Sequence, residues 1–191
     1  MNWDDLKSKE ATVRFEFTRE AIRVSAHEPE RLYPEFSRFV EMLDSRNNVI
    51  VWTGLQIIGN LAAIDTEGHV DELLPKLFTL FESGGLVTAA NTIKTLGKIA
   101  LSKPDLTDKI VAELLLVESV KIIRRGEPSP ECRNVAIGHV LDALTPVKHS
   151  AAMRPHWTAF IERQTSNSRP AVARKARAAI RSAHRITAKH R

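Results

Sequence analysis

Residues 73–81 read LLPKLFTLF, and this stretch decides the fold because related forms of it recur along the chain. Two further copies are LYPEFSRFV at 32–40 and MRPHWTAFI at 153–161. The prolines of the three copies lie 41 and then 80 residues apart, which is close to one and then two equal periods. A fourth copy falls near Ala112, where IVAELLLV at 110–117 keeps the apolar pattern without the proline. A repeat of this length predicts stacked structural units.

A second, shorter phrase repeats with the same period. It reads IGNL at 58–61, LGKI at 96–99 and IGHV at 137–140, so its glycines lie 38 and 41 residues apart. Each copy precedes its partner proline, or Ala112, by 15 to 17 residues. Each unit therefore has two elements in a fixed order. Since a glycine inside a helix costs about 0.5–1 kcal/mol relative to alanine, its recurrence predicts that a neighbouring helix packs closely against it.

Both phrases have the apolar spacing of helices. The i, i+3, i+4, i+7 pattern is followed at 73, 74, 77, 80 and 81 and at Val51, Leu55, Ile58 and Leu61. The proline is expected near the start of the second helix of each unit, where its missing N–H has no intrahelical partner anyway. If it lies one turn further in, it bends that helix.

A two-helix unit of this length, with these two phrases in this order, resembles the HEAT repeat. The likeness covers roughly residues 10–165; the third unit lacks the proline, and the first lacks the glycine phrase, which fits an atypical capping unit. The resemblance implies an all-α, right-handed α-α superhelix of four helix pairs plus a C-terminal helix, with the second helices on the concave side. It implies no single function, because HEAT proteins serve as adaptors, transport receptors, regulatory subunits and, in a few cases, nucleic-acid-binding enzymes.

The chain is predicted to form a single domain over residues 1–191, with a basic tail over 169–191. Its units are expected at about 8–44, 48–84, 86–124 and 130–166, with a partial unit at 169–186. First helices are expected at about 48–64, 86–102, 130–145 and 170–186. Second helices are expected at about 29–43, 69–82, 106–124 and 149–165.

Charge is unevenly distributed along the chain. The net charge is +5, yet residues 169–191 hold eight Lys or Arg and no acid, so the remaining 20 basic and 23 acidic residues give a net charge of −3. The hydrophobic fraction of 43% is sufficient for a substantial core. Cys132 is the single cysteine, which excludes an intrachain disulfide and four-cysteine zinc sites. No apolar run approaches membrane-spanning length and the N-terminus is not secretory, so a soluble cytoplasmic protein is expected.

The known catalytic motifs are absent from the sequence: there is no G-x-S-x-G, H-E-x-x-H, Walker loop or G-x-G-x-x-G. His149 and His156 are spaced to share a helical face, but no third metal ligand is evident. Some HEAT-like solenoids are DNA glycosylases, and the resemblance implies that such an enzyme would use aromatic residues and a carboxylate in a basic groove. Trp157 instead occupies a core position of the proline phrase, Trp52 lies beside an apolar stripe, and the second helices carry mixed charge. The prediction is therefore a protein that is not an enzyme, with no cofactor and no metal.

The first functional hypothesis is a scaffold that binds a protein partner across its second helices. The predicted partner-binding residues are the polar positions of those helices: Arg31, Glu35, Arg38, Glu72, Lys76, Thr79, Lys109, Glu113, His156 and Arg163. The alternative is nucleic-acid binding through the last helix, whose arginines are spaced three, four and four apart: Arg174, Arg177, Arg181 and Arg185. The other interpretation of that helix is a solvated end cap with no binding role. A membrane role is not expected, because its apolar side is mostly alanine.

Overall fold

The computed structural model describes residues 1–83 and 85–188, with side chains for all of these except Lys7, Ser83 and 183–188. This part of the chain is helical almost throughout, which confirms the all-α prediction. It contains the α-helices α1 Ala11–His27, α2 Phe36–Met42, α3 Asn48–Leu61, α4 His69–Ser83, α5 Leu86–Ser102, α6 Pro104–Leu115, α7 Pro130–Leu144, α8 Met153–Gln164 and α9 Pro170–Ala188. None of the described helices combines the length and apolar character needed to cross a membrane.

The chain divides into two compact units, Met1–Glu72 and Leu73–Arg191. In the first unit, α1 packs beside α3, and α2 packs on α3. The Asn60 amide, near the end of α3, donates to Ser25 Oγ near the end of α1 at 2.8 Å, so the two helices run in the same direction. The single-domain prediction and the handedness of the superhelix stay predictions.

The second helix of the first unit is shorter than predicted. In place of one helix over 29–43, two 3-10 turns, Pro29–Arg31 and Tyr33–Glu35, precede α2 at Phe36–Met42. The reason is the two closely spaced prolines. Each lacks an N–H and crowds the preceding turn, so a continuous α-helical hydrogen-bond ladder cannot run through them.

The second compact unit, Leu73–Arg191, has two helix layers. We define the first-helix layer as α5, α7 and α9, which pack side by side, and the second-helix layer as residues 73–83 with α6 and α8. The layers are joined where α5 packs on α6 and α8 packs on α9. Helix pairs with the predicted order therefore recur through residues 86–164.

Equivalent positions two residues after the proline point into the core. Leu77, Leu114 and Trp157 are all buried, as is Phe36 in the first unit. The register inferred from the repeated phrase is thus confirmed at each copy. The shared buried position explains why the phrase recurs, since each copy supplies the apolar face on which its own unit closes.

The proline itself takes a different place in each copy. Pro155 lies in the first turn of α8, whereas Pro75 lies inside α4, six residues after the helix begins at His69. The early start of α4 has a local cause, because the Asp65 carboxylate accepts hydrogen bonds from the backbone N–H of His69 at 3.2 Å and of Val70 at 3.0 Å. The second-helix prolines therefore share a sequence register and differ in helical position.

The third predicted repeat unit, at about 86–124, differs from its prediction after α6. The expected helix to residue 124 ends at Leu115, and after one 3-10 turn a hairpin forms from β1 Ile123–Arg124 and β2 Glu127–Pro128. Its two turn residues, Arg125 and Gly126, have φ values of 54° and 85°. Positive φ at both positions is the requirement of a type I′ turn, which matches the twist of paired strands. Local turn chemistry has therefore replaced the last predicted turns of the helix.

The glycine phrase is explained at one of its copies. A Cβ added at Gly97 would lie 2.8 Å from Ala143 Cβ of α7, so α5 and α7 approach too closely for any larger residue. At Gly138 the nearest atom, Val172 Cγ2 of α9, would lie at 3.4 Å, an ordinary contact. The predicted close packing is thus confirmed for Gly97 and is absent at Gly138.

Candidate functional site

In the second-helix layer, the predicted partner-binding residue Lys109 of α6 lies against the side of α4. Lys109 is exposed on α6, and its Nζ lies 6.0 Å from the centroid of the half-buried Phe78 ring on α4. A cation over an aromatic face is an attractive arrangement, worth about 0.5–1 kcal/mol at an exposed site. Lys109 and Phe78 therefore form one continuous surface across the two helices.

Two carboxylates lie one turn further along the same surface. Burial raises the pKa of Glu113, and repulsion from the Glu82 carboxylate and a hydrogen bond with it act in the same direction. Burial is the largest cause, and the nearby Glu82 adds to it because a like charge disfavours ionisation. Glu82 and Glu113 thus bring two acidic side chains together where α4 and α6 adjoin.

Other predicted residues of this layer have local partners. Arg163 makes a two-pronged ion pair with Glu118, at 3.2 Å and 2.6 Å, and Gln164 Nε2 donates to the same carboxylate at 2.7 Å. The Thr79 hydroxyl donates to the Pro75 carbonyl at 3.1 Å. Arg163 thus fastens α8 to the segment after α6. Lys76 is half-buried on α4 and His156 is exposed on α8.

In the first compact unit, Met1–Glu72, most of the predicted partner-binding residues form ion pairs with residues close by in the sequence. Arg31 pairs with Glu28 and Glu35 pairs with Arg38, each at 2.7 Å. The Arg38 guanidinium also lies 4.9 Å from the Trp3 ring centroid. Glu72 is exposed in the first turns of α4. Exposed local pairs of this kind contribute little stability, and they are typical of an ordinary solvated surface.

The last helix holds its basic residues in two ways. Lys175 Nζ pairs with Asp142 of α7 and also donates to the Gly138 carbonyl at 3.3 Å, which fastens α9 to α7. Three of the four predicted arginines are exposed, and one of them donates to the Thr165 carbonyl at 3.0 Å: Arg174, Arg177 (the donor) and Arg181. The side chain of the fourth, Arg185, lies outside the described residues.

The two histidines considered as metal ligands lie in different surroundings. His149 stacks on Trp157 with ring centroids 5.0 Å apart, and its Nε2 donates to the Leu144 carbonyl at 3.1 Å. Its Nδ1 is buried with no hydrogen-bond partner among the described residues, and burial lowers the pKa of His149. His156 is exposed on α8. Within the described residues, no cluster of three or more His, Cys, Asp or Glu side chains could hold a metal ion.

The aromatic residues considered for a glycosylase are packed to different degrees. Trp157 is buried between His149 and Phe160, as the register predicts, while Trp52 of α3 is half-buried. Sequence reasoning missed Phe78 and Glu82 on the second-helix layer and the lysines of α5, Lys94 and Lys98. A count of charge helix by helix would have found the lysines, because α5 contains no acid.

No protein-family model matches the sequence, and the search of curated proteins found no match. Among solved structures, the chain is similar to a designed armadillo repeat protein, YIII(Dq)4CqI. The sequence identity is 13%, the TM-score is 0.41, and the alignment covers 94% of this chain and 97% of the designed one. At that TM-score, the repeat architecture rests on the helix pairs of the chain itself.

Proposed function

We propose that this chain is a binding protein that engages a protein partner through the second-helix layer of residues 73–191. The observation that carries the proposal is the joint surface of α4 and α6, where Lys109 lies over Phe78 and Glu113 lies beside Glu82. An aromatic ring flanked by charges of both signs is the composition found at the centre and rim of protein interfaces.

The acidic pair gives the proposed partner a definite chemistry. Two carboxylates that repel each other are stabilised when a cation approaches both, so a lysine or arginine of the partner is expected to contact Glu82 and Glu113. The half-buried Phe78 supplies the apolar contact beside them. The partner is therefore expected to present a basic side chain next to an apolar one.

A charge swap on α6 tests the proposal. In the variant Lys109→Glu/Glu113→Lys the net charge and the apolar core are unchanged, and Glu113→Lys places a cation beside Glu82, so the fold is expected to persist. Immobilised protein would capture partners from a lysate of the source cells, with quantitative mass spectrometry as the measurement. Proteins enriched by the wild type are expected to be lost from the swapped variant.

The matched control is Asp142→Lys/Lys175→Asp, which reverses an ion pair between α7 and α9 and also preserves net charge. The control is expected to capture the same proteins as the wild type. Capture that survives the α6 swap, or that disappears equally in both variants, would contradict the proposal.

A second candidate function is nucleic-acid binding through α9, which the exposure of Arg174 and Arg181 favours. Within the described residues neither forms an ion pair, and both project from a helix packed on α7 and α8. Replacing Arg174, Arg177, Arg181 and Arg185 by Gln keeps helix propensity. Four lost phosphate contacts should nearly abolish a slope of about −3 to −4 in log K against log salt. A wild type that binds neither DNA nor RNA at about 50 mM salt removes this candidate.

A further inference from the structure

The hairpin after α6 presents an exposed isoleucine beside two cations. Val120 and Ile122 are buried and anchor the base of the hairpin, whereas 41% of the Ile123 surface is exposed. Successive side chains of an extended segment point to opposite sides, so Lys121 and Ile123 lie away from the core, and Arg125 follows in the turn. Within the described part of the chain, neither cationic side chain forms an ion pair or a hydrogen bond. We call Lys121, Ile123 and Arg125 the hairpin patch.

The turn of the hairpin holds Arg125 in a disfavoured backbone conformation. Its φ of 54° lies in the left-handed region, where the first central position of a type I′ turn prefers Asn, Asp or Gly. Arg124 differs from Arg125 because it lies opposite Glu127 in the register of the hairpin, where an acid offsets its charge. A residue held in a conformation that its type disfavours is a candidate for a role outside the turn itself.

The surface that the proposed function assigns to α4 and α6 is complementary to the hairpin patch. Lys109 and Phe78 lie against each other there, and Glu82 and Glu113 each follow one turn later on the same face of their own helix. Leu116, three residues after Glu113, is 48% exposed. These five residues, the α4–α6 surface, combine two acids with accessible apolar groups, whereas the hairpin patch combines two cations with one.

Both surfaces lie at the same end of the second-helix layer. Glu82 is in the last turn of α4 and Glu113 in the last turn of α6, and the hairpin begins at Ile123, shortly after the 3-10 turn Leu116–Glu118. With a two-fold axis between two copies, each copy receives the hairpin of the other. Such a pair makes the same contact twice and closes on itself, so it does not grow into a longer chain.

We propose that the partner of the α4–α6 surface is a second copy of this chain. The Ile123 side chain of one copy contacts Phe78 and Leu116 of the other, and the two hairpin cations approach the two carboxylates. In such an interface the apolar contact supplies affinity, and the opposite charges fix the register. The inference rests on the proposed function, because it names the occupant of the same surface.

Sedimentation velocity of the purified full chain tests the proposal. The wild type is expected to shift from monomer to dimer as its concentration rises. The surface variant is Glu82→Lys/Glu113→Lys, and the hairpin variant is Lys121→Glu/Arg125→Glu. Each variant brings like charges together, so each should raise the dissociation constant of the dimer about a hundredfold or more. An equimolar mixture of the two has opposite charges at both contacts, so the dimer should reappear, and circular dichroism verifies that each variant is folded.

The charge-matched control is Lys148→Glu/Arg154→Glu, two exposed residues that follow α7, whereas the hairpin precedes it. The control should dimerise as the wild type does. A wild type that stays monomeric, a dimer that survives in either variant, a mixture that stays monomeric, or equal weakening in the control would each overturn the inference. If the wild type is monomeric but the α6 swap still loses its captured proteins, the inference is refuted and the proposed function stands.

The variant Arg125→Asn separates the role of the side chain from the stability of the turn. Asparagine suits a positive φ, so thermal unfolding at a concentration where the protein is monomeric should occur at an equal or higher temperature. The dimer should nevertheless be weaker, because one cation of the hairpin patch is lost. An Arg125→Asn protein that dimerises as well as the wild type would overturn the proposal.

Discussion

The first-helix and second-helix layers of residues 73–191 share a packing plan and differ in what they present to solvent. Each helix buries an apolar stripe, represented by Ile93 and Leu96 on α5 and by Ile110 and Leu114 on α6. By sequence, the helices of the first-helix layer carry eight Lys or Arg and two acids, a net charge of +6, and those of the second-helix layer carry four Lys or Arg and five acids, a net charge of −1. The stripes hold the helices together, and the outward positions are under no such constraint. The two layers therefore share their packing and differ in the charge of their helices.

The largest effect is expected where the two layers meet. Leu77 and Leu114 are fully buried at equivalent positions of the repeat. Truncating either to alanine should lower the free energy of unfolding by about 2–5 kcal/mol, because apolar contacts are lost and a cavity remains. Urea unfolding would measure it. The exposed Lys94→Ala, on the other layer, should change it by less than about 0.5 kcal/mol, and similar losses at all three positions would contradict the shared packing plan.

A smaller effect distinguishes two glycines of the same phrase. Gly97→Ala should destabilise the protein by about 1–3 kcal/mol, because the new Cβ meets Ala143 at 2.8 Å and overpacks the contact of α5 with α7. Gly138→Ala meets only an ordinary contact at 3.4 Å, and better helix propensity should leave it neutral or stabilised by up to about 1 kcal/mol. Thermal unfolding of the two variants, compared with the wild type, checks the sign of each change in stability. Equal destabilisation would show that both glycines serve close packing.

The smallest effect concerns pH and the loop between α7 and α8. The pKa of His149 is lowered by burial and by Arg154, while the hydrogen bond to Leu144 and the charge of Asp108 oppose this. The unfolded chain therefore takes up the proton first, so the free energy of unfolding should fall as the pH drops below about 6.5. His149→Gln should reduce that slope, with the exposed His156→Gln as its matched control. Stability that rises as the pH drops through this range would contradict the assignment.

The helix pairs were predictable because the repeat imposes the same apolar spacing several times over, so α5, α7 and the buried Leu77 and Trp157 follow from the pattern alone. The hairpin at 123–128 was not predictable from helical spacing, since it depends on Arg125 and Gly126 adopting positive φ. The pairing of Arg163 with Glu118 joins residues 45 apart in sequence, and no local pattern encodes it.

The candidate sites were less predictable than the helices. The sequence identified Lys109 and Glu113 as outward-facing positions of α6, but their neighbours Phe78 and Glu82 depend on how α4 lies beside α6. The basic tail was evident from composition. Which helices lie beside the tail required the structure, because α7 packs on α9 although a whole helix lies between them in the chain.

Hydrogen–deuterium exchange, measured by mass spectrometry with and without a saturating 20-nucleotide DNA, tests most directly whether the two layers have separate roles. If α9 binds nucleic acid, bound DNA should slow exchange in peptides from α9, because contacts stabilise that helix against local opening. Peptides from α6 and α8 should exchange as they do in the free protein. Slowed exchange confined to α6 and α8, equal slowing in both layers, or no change in any peptide would contradict the account.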